Sequence, residues 1–225
     1  MARPSLIVHV GVMSVLAPLG TAYLRRRQLT PAQFWVFIWL FLLAIMNIIG
    51  YVVGRLHYNN HFLTYVFTPF QDAAILWALS LYQLQPVVRA AIRIAIPVFV
   101  VAWALALPLI ENVNNFSLFA EPVYSILALG AAVYTLASRS SEATEPVQQQ
   151  DWFWICAGLA LYFAALTVML PLSATFVYSR PDIVIRAYNV NSVVSIVAFA
   201  CIANGFLCTA KSIPSGSFSS PAPAV

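Results

Sequence analysis

The sequence has little charge. Only 8% of its 225 residues are Asp, Glu, Lys or Arg, whereas about a quarter of the residues of a soluble domain are charged. The chain is instead 62% hydrophobic, with a mean hydropathy of +0.86. Its apolar residues fall in runs of about 20, the length that a helix needs to cross a bilayer, and not in the short alternating segments of membrane barrels. The composition therefore predicts an all-α, polytopic helical membrane protein.

The sequence also lacks the motifs of common catalytic and metal sites. It contains no Gly-rich phosphate loop, no HExxH and no GxSxG. Its three cysteines, Cys156, Cys201 and Cys208, have no CxxC spacing and lie in apolar runs. They are expected to be small buried side chains and not a disulfide frame or metal site. The one lysine, Lys211, follows the last apolar run, which excludes the mid-helix Schiff base of a rhodopsin.

Seven apolar runs have the length of a membrane span. We predict spans at about 5–24, 32–54, 61–82, 90–110, 118–137, 151–177 and 185–210. Residues 1–211 then form a single transmembrane domain, and the Ser/Pro-rich tail 212–225 is predicted to be disordered. The first run is expected to be retained as a span, because three basic residues follow it and no small-x-small cleavage site precedes a soluble domain. Thr30 and Pro31 fit an N-cap and the first position of the second helix.

The basic residues lie mostly at the ends of the apolar runs, where they set the orientation in a membrane. The net charge of +4 therefore does not indicate nucleic acid as a partner. Alternate loops lie on the same side of the membrane. The side that contains the three arginines at 25–27 has seven Lys and Arg residues, and the other side has four. This asymmetry predicts an N-terminus outside and a C-terminus in the cytoplasm. We expect the location to be the inner membrane of a bacterium.

One charged residue, Asp72, is predicted to lie deep inside a span. It comes about eleven residues after the start of the third span, which is roughly 16 Å along a helix and close to the midplane of a core about 30 Å thick. Pro69 removes one helix hydrogen bond nearby, and Thr68 and Gln71 add polar side chains. A carboxylate at this depth is costly and has to face protein or water. These residues are therefore a candidate polar intramembrane site.

Asn47 on the second span and Tyr162 on the sixth are expected at a depth similar to that of Asp72. A pocket shared by these three residues leaves two interpretations open. One is a proton or solute site. The other is an interhelical hydrogen-bond network around a protonated Asp72, and it is favoured because no basic partner is predicted at that depth.

Small and polar residues indicate where helices pack. Gly50 and Gly54 form a GxxxG spacing, which permits close approach of two helices. We expect this approach to occur within the chain and not in a dimer. The last predicted span has further packing positions at Asn189, Ser192 and Ser195.

His9 is the only histidine inside the first predicted span. Two histidines at matched depths on different spans, as a transmembrane haem needs, are not expected. No metal site and no cofactor are predicted, and lipid is the expected surrounding. Ligation of a pigment or a metal by His9 alone is left open as the less favoured alternative.

Two stretches resemble a loose group of uncharacterised bacterial multi-pass membrane proteins. In that group an Asn-rich turn leads into a Tyr-Thr-Pro helix with a carboxylate two residues after the proline, as Asn59-Asn60 lead here into Tyr65 and Thr68-Pro69. The second stretch is Phe153-Trp154-Ile155, Gly158 and Tyr162-Phe163, similar to the penultimate span of the group. Here Gln71 occupies the carboxylate position and Asp72 follows it. The resemblance, which extends to membrane blocks of sensor kinases, implies a topology of about seven helices and no settled activity.

Three functions are compatible with these features. The first is a non-catalytic accessory or scaffolding subunit of a larger membrane complex, such as an energy-transducing one, with other membrane subunits as partners. The second is a small-solute or proton carrier that uses Asp72. The third is a seven-helix sensor of a membrane-soluble signal without its own output domain. An intramembrane enzyme is not expected, because one carboxylate without a paired acid, nucleophile or metal ligand is a poor catalyst.

Overall fold

The protein is all-helical in the part of the chain that the structure, a computed structural model, describes: residues 6–113, 117, 119–176 and 179–208. Seven of its helical segments are long and apolar enough to cross a membrane, which suggests an integral membrane protein. The predicted tail 212–225 lies outside the described residues. The helices are α1 (Leu6–Met13), α2 (Leu16–Leu24), α3 (Pro31–Arg55), α4 (Phe62–Tyr82), α5 (Pro86–Leu109), α6 (Ala120–Glu142), α7 (Asp151–Phe176) and α8 (Pro181–Leu207).

The first predicted span is broken into α1 and α2. Pro18 has no N–H to donate to the carbonyl of Ser14, one helical turn earlier. The N–H of Ala17 donates to that carbonyl instead, at 3.1 Å. This bond spans three residues and makes the turn tighter than an α-helical one. The hydroxyl of Ser14 donates to the carbonyl of Gly11 and competes with the regular helix bonds. The irregularity therefore follows from one proline and one serine.

The other helix ends follow local capping chemistry. The predicted N-cap at Thr30 is confirmed: its hydroxyl accepts from the N–H of Gln33 at 3.2 Å, and the side chain of Gln33 accepts from the N–H of Thr30 at 2.9 Å. α5 begins at Pro86, four residues before the predicted start, because proline suits the first turn of a helix. α6 continues to Glu142, five residues beyond the predicted end.

Contacts between distant residues identify the two ends of the helix bundle. At one end, which we call the Arg25 end, Arg25 Nη1 donates to the carbonyl of Leu207 at 2.6 Å. At the other, the Glu111 end, the hydroxyl of Tyr65 donates to Glu111 Oε2 at 3.0 Å. α3 runs from the Arg25 end to the Glu111 end, and each later long helix reverses direction, because the connections between helices are short.

Arginines at the Arg25 end bind carbonyls where helices finish. Arg139 Nε donates to the carbonyl of Tyr82, the last residue of α4, at 2.6 Å. Arg89 Nη2 donates to the carbonyl of Gln83 at 2.7 Å, and Arg25 does the same for α8. The last carbonyls of a helix have no intrahelical partner, and they favour a cation. These arginines therefore stabilise the fold as well as creating the charge asymmetry between the ends.

Glycines on α7 and α8 bring these two helices close together. A Cβ at Gly158 would lie 2.5 Å from the carbonyl oxygen of Ala198, and one at Gly205 would lie 2.5 Å from Ile155 Cγ1. Side chains larger than hydrogen would separate the backbones at both places. α5, by contrast, buries only Phe99 and Ala106 and lies at the edge of the bundle.

The residues predicted to pack helices have different surroundings. A Cβ at Gly50 or Gly54 would lie 3.6 or 3.9 Å from Asn60 Nδ2, in the turn between α3 and α4, and not against another helix backbone. Ser192 lies close to Gly11 on α1: a Cβ added at Gly11 would be 2.6 Å from the Cβ of Ser192. Ser195 is buried and Asn189 is half-buried.

We expect Gly158→Ala to destabilise the protein, because the new methyl group would overlap backbone atoms of α8 that cannot rotate away. Overpacking of this kind costs about 1–3 kcal/mol, and the measurement is the thermal midpoint of unfolding in a mild detergent. Gly130→Ala is the matched control on α6, where a Cβ would have no neighbour within 4 Å. Equal midpoints for the two variants would contradict the packing role of Gly158.

Candidate functional site

Asp72 is fully buried in the middle of α4, and neither carboxyl oxygen has a hydrogen-bond partner among the described residues. The only ion pair in the described part of the chain joins Arg180 and Asp182, which are exposed. α4 continues through Pro69, which has no N–H to donate to a helix hydrogen bond. An ionisable side chain held in this way is costly.

The two polar neighbours of Asp72 on α4 form hydrogen bonds with groups other than its carboxyl. The hydroxyl of Thr68 donates to the carbonyl of Thr64 at 2.6 Å, one turn back along the same helix. Gln71 Nε2 donates to Met46 Sδ on α3 at 3.6 Å. Both side chains are buried. The predicted cluster therefore consists of three adjacent buried polar residues, but Thr68 and Gln71 do not hydrogen-bond to the carboxyl of Asp72.

An aromatic cluster lies at the centre of the bundle and contains Tyr162, another predicted site residue. Trp39 Nε1 donates to the hydroxyl of Tyr124 at 2.8 Å. The ring of Tyr162 lies 5.5 Å from that of Trp39 and 5.2 Å from that of Phe163, edge to face in both cases. Tyr162 therefore belongs to this buried aromatic cluster.

Asn47 lines a cleft at the Glu111 end instead of joining Asp72. We call it the His9 cleft. Its volume is about 470 Å³. It lies between α1 on one side and α3 and the start of α4 on the other, and α8 contributes one residue. The lining residues are His9, Val12, Met13, Met46, Asn47, Gly50, Tyr51, Asn60, His61, Leu63, Thr64 and Tyr188.

The His9 cleft combines an apolar wall with polar side chains. No Asp, Glu, Lys or Arg is among its lining residues. Burial lowers the pKa of His61. The rings of His9 and Tyr51 meet edge to face, with centroids 6.5 Å apart. A cavity of this size, mostly apolar and with a few converging polar groups, is typical of small-molecule sites.

Sequence reasoning missed the approach of His9 and His61 to one cleft. It placed His9 alone in the first span and did not connect it with His61, at the start of the third predicted span. The two are 52 positions apart in the sequence, and no local pattern joins them. α1 packs against α8, where Gly11 meets Ser192, and this contact turns one face of α1 towards α3 and α4. The pairing is therefore a result of the tertiary structure.

The cleft and the buried carboxyl are connected through adjacent residues. Met46, which lines the cleft, accepts the hydrogen bond from Gln71, the residue before Asp72. Thr64, also in the lining, accepts from Thr68. Asp72 itself is not a lining residue. A change in the position of the cleft wall could therefore reach the surroundings of Asp72 through α4.

A second polar group, centred on Glu111, holds the start of α6. Glu111 Oε1 accepts from the N–H groups of Phe119 and Ala120, both at 2.9 Å, and from the hydroxyl of Ser117 at 2.8 Å. Glu111 Oε2 accepts from the hydroxyl of Tyr65. A carboxylate at a helix N-terminus satisfies N–H groups that lack partners. Glu111 thus joins α4, α6 and the connection before α6.

In the described residues, no three His, Cys, Asp or Glu side chains converge as metal ligands. Comparison with known proteins adds no relative: no family model, no curated protein and no solved structure matches this chain. The site is therefore judged on its own geometry.

We expect Asp72→Leu to raise the thermal midpoint of the protein in detergent, because it replaces an unpaired buried carboxyl with an apolar group of similar size. An unsatisfied buried polar group costs about 1–3 kcal/mol. Asp182→Leu is the control, since Asp182 is exposed and paired with Arg180. A lower midpoint for Asp72→Leu would mean that the carboxyl stabilises the fold, as the network interpretation requires.

Replacing Glu111 with alanine should lower the stability of the start of α6, because two backbone N–H groups and two hydroxyls lose their acceptor. Loss of a capping residue costs about 0.5–2 kcal/mol. Glu142→Ala, at the exposed end of the same helix, removes a carboxylate without these contacts. Hydrogen exchange of the amides of Phe119 and Ala120 checks the prediction: faster exchange is expected only in Glu111→Ala, and unchanged exchange there would contradict it.

Proposed function

We propose that this protein is a non-catalytic integral membrane protein that binds a small membrane-soluble ligand in the His9 cleft, and that it acts as an accessory, sensing subunit of a membrane complex. The observation that carries the proposal is the cleft itself. It has the volume of a ligand site, and it is open to the surface of the bundle, where Val12 and Tyr51 are 37% and 49% exposed. A ligand dissolved in the membrane can enter from the side.

The chemistry of the cleft favours binding over catalysis. Its lining has amides, imidazoles and hydroxyls but no carboxylate, thiol or amine. A catalytic site needs a nucleophile or acid with a positioned partner. The hydroxyl-bearing residues of the lining are Tyr51, Thr64 and Tyr188, and none has a hydrogen bond to a base that would activate it among the contacts described above. Recognition of a ligand by hydrogen bonds needs no such activation.

The position of the cleft supports a sensing role. Its walls belong to helices that pack on different neighbours: α1 packs on α8, and α3 packs on α4. A ligand between the walls would set the separation of these two pairs. The Met46–Gln71 contact would transmit the change to α4 next to Asp72. A buried carboxyl without a partner is sensitive to such a change, because a small movement alters its surroundings.

The outer surface of α5 supports a place in a larger assembly. Its exposed apolar residues recur at intervals of three, four and seven residues, which puts them on one helix face: they are Val87, Ile94, Val98, Val101 and Leu105. This is the spacing of a helix that packs along another helix. With the Arg25 end in the cytoplasm, as the basic residues favour, α5 would offer this face to another subunit within the inner membrane of a bacterium.

A second candidate function is a proton or small-solute carrier, and the unpartnered oxygens of Asp72 favour it. The His9 cleft is not lined by Asp72, so this candidate ranks below ligand binding. In a carrier, Asp72→Asn would abolish transport into proteoliposomes while expression stays intact. Unchanged transport in that variant would remove the candidate.

Val12→Trp should fill the His9 cleft and displace a bound ligand, because the indole ring would occupy the space between α1 and α3. Val10→Trp is the matched control, since Val10 is exposed on α1 and does not line the cleft. Native mass spectrometry after gentle purification is the measurement. We expect wild type and Val10→Trp to carry a small molecule that Val12→Trp lacks. An occupant that all three proteins carry equally would contradict ligand binding in the cleft.

A further inference from the structure

We infer that the ligand of the His9 cleft has an uncharged ring head with oxygen atoms on opposite sides, which is the chemistry of a quinone or its quinol. The inference rests on the proposed binding function and adds the class of ligand. It follows from three features of the cleft: the absence of Asp, Glu, Lys and Arg from its lining, the distribution of residues with hydrogen-bonding side chains over several helices, and the presence of thioether and aromatic side chains suited to a flat ring.

The absence of charge in the lining selects against charged head groups. Burying an ionised phosphate or ammonium group without a counter-ion costs several kcal/mol, and the lining has no Asp, Glu, Lys or Arg to serve as one. One cation, Arg55, stands at the rim, with its guanidinium 5.8 Å from the ring centroid of Tyr51. Arg55 is exposed and outside the lining, so it does not offset the burial of an anion inside the cleft.

Hydrogen-bonding groups approach the cleft from different helices. Asn47 belongs to α3 and Tyr188 to α8, while His9 belongs to α1. Amide and imidazole groups both donate and accept, and a phenol does the same. Two oxygens at opposite positions of one ring can therefore be bound from two walls, in the quinone form as acceptors and in the quinol form as donors.

Two methionines and two rings provide the surface for a flat head. Met13 on α1 and Met46 on α3 both line the cleft, and thioethers make favourable contacts with aromatic rings. The edge-to-face pair of His9 and Tyr51 adds an aromatic wall. At the opening, Met13 is 46% exposed, so an apolar tail can leave the cleft into the surrounding lipid.

The test is a titration by native mass spectrometry with three probes that share a decyl tail: decylbenzoquinone, decyl phosphate and decyltrimethylammonium. We expect the benzoquinone to bind at least tenfold more tightly than either charged probe, and binding to be lost in Val12→Trp. Asn47→Leu and Tyr188→Phe should each weaken it about tenfold, as the loss of one buried hydrogen bond does. The controls are Asn204→Leu and Tyr134→Phe, which change residues outside the lining and should bind as wild type does.

The outcomes separate the ligand class from the proposed function. A charged probe that binds as tightly as the benzoquinone, and is displaced by Val12→Trp, would overturn the quinone class and leave ligand binding in place. The quinone class would also be overturned, with ligand binding left in place, if the purified protein carries an occupant that Val12→Trp removes and the benzoquinone does not bind. Equal binding of the benzoquinone by wild type and Val12→Trp would place it outside the cleft and overturn the inference. If no probe binds and wild type carries no occupant, both proposals fail.

Discussion

The structure depends on one constraint: polar groups inside a bundle with an apolar surface have to find partners within the protein. Glu111 meets it for the start of α6, where it accepts from two backbone N–H groups. Arg25 and Arg139 donate hydrogen bonds to the carbonyls at the ends of α8 and α4. Several of the few charged side chains thus serve the ends of helices.

Asp72 does not follow this pattern, because its carboxyl has no hydrogen-bond partner among the described residues. Its neighbours Thr68 and Gln71 bind a carbonyl and a thioether, so they leave the carboxyl without a partner. The carboxyl is connected to the His9 cleft only indirectly, through α4 and Gln71. Other described residues, such as Ser125 and Ser173, also have buried side-chain oxygens without a partner, but Asp72 is the only carboxyl among them.

The helices and several of their ends could be predicted from local sequence. Runs of apolar residues give the seven segments, and Thr30 with Gln33 gives the capping box. The start of α5 was placed too late, because Pro86 was assigned to a loop although proline also suits a first helical turn. Glycines proved harder to interpret. The GxxxG pair was easy to find, but the closest helix approach occurs at Gly158 and Gly205, which form no motif together.

The sequence by itself determined that the chain is helical, how many apolar helices it has and where a buried carboxyl lies, because helix formation and hydropathy depend on residues close together along the chain. Only the tertiary structure decided that Asn47 turns to a cleft and Tyr162 to the aromatic cluster. It also decided that His9 and His61 share one cavity. The reason is physical: which face of a helix meets which neighbour depends on side-chain packing between distant segments, and most faces of these apolar helices look alike in sequence.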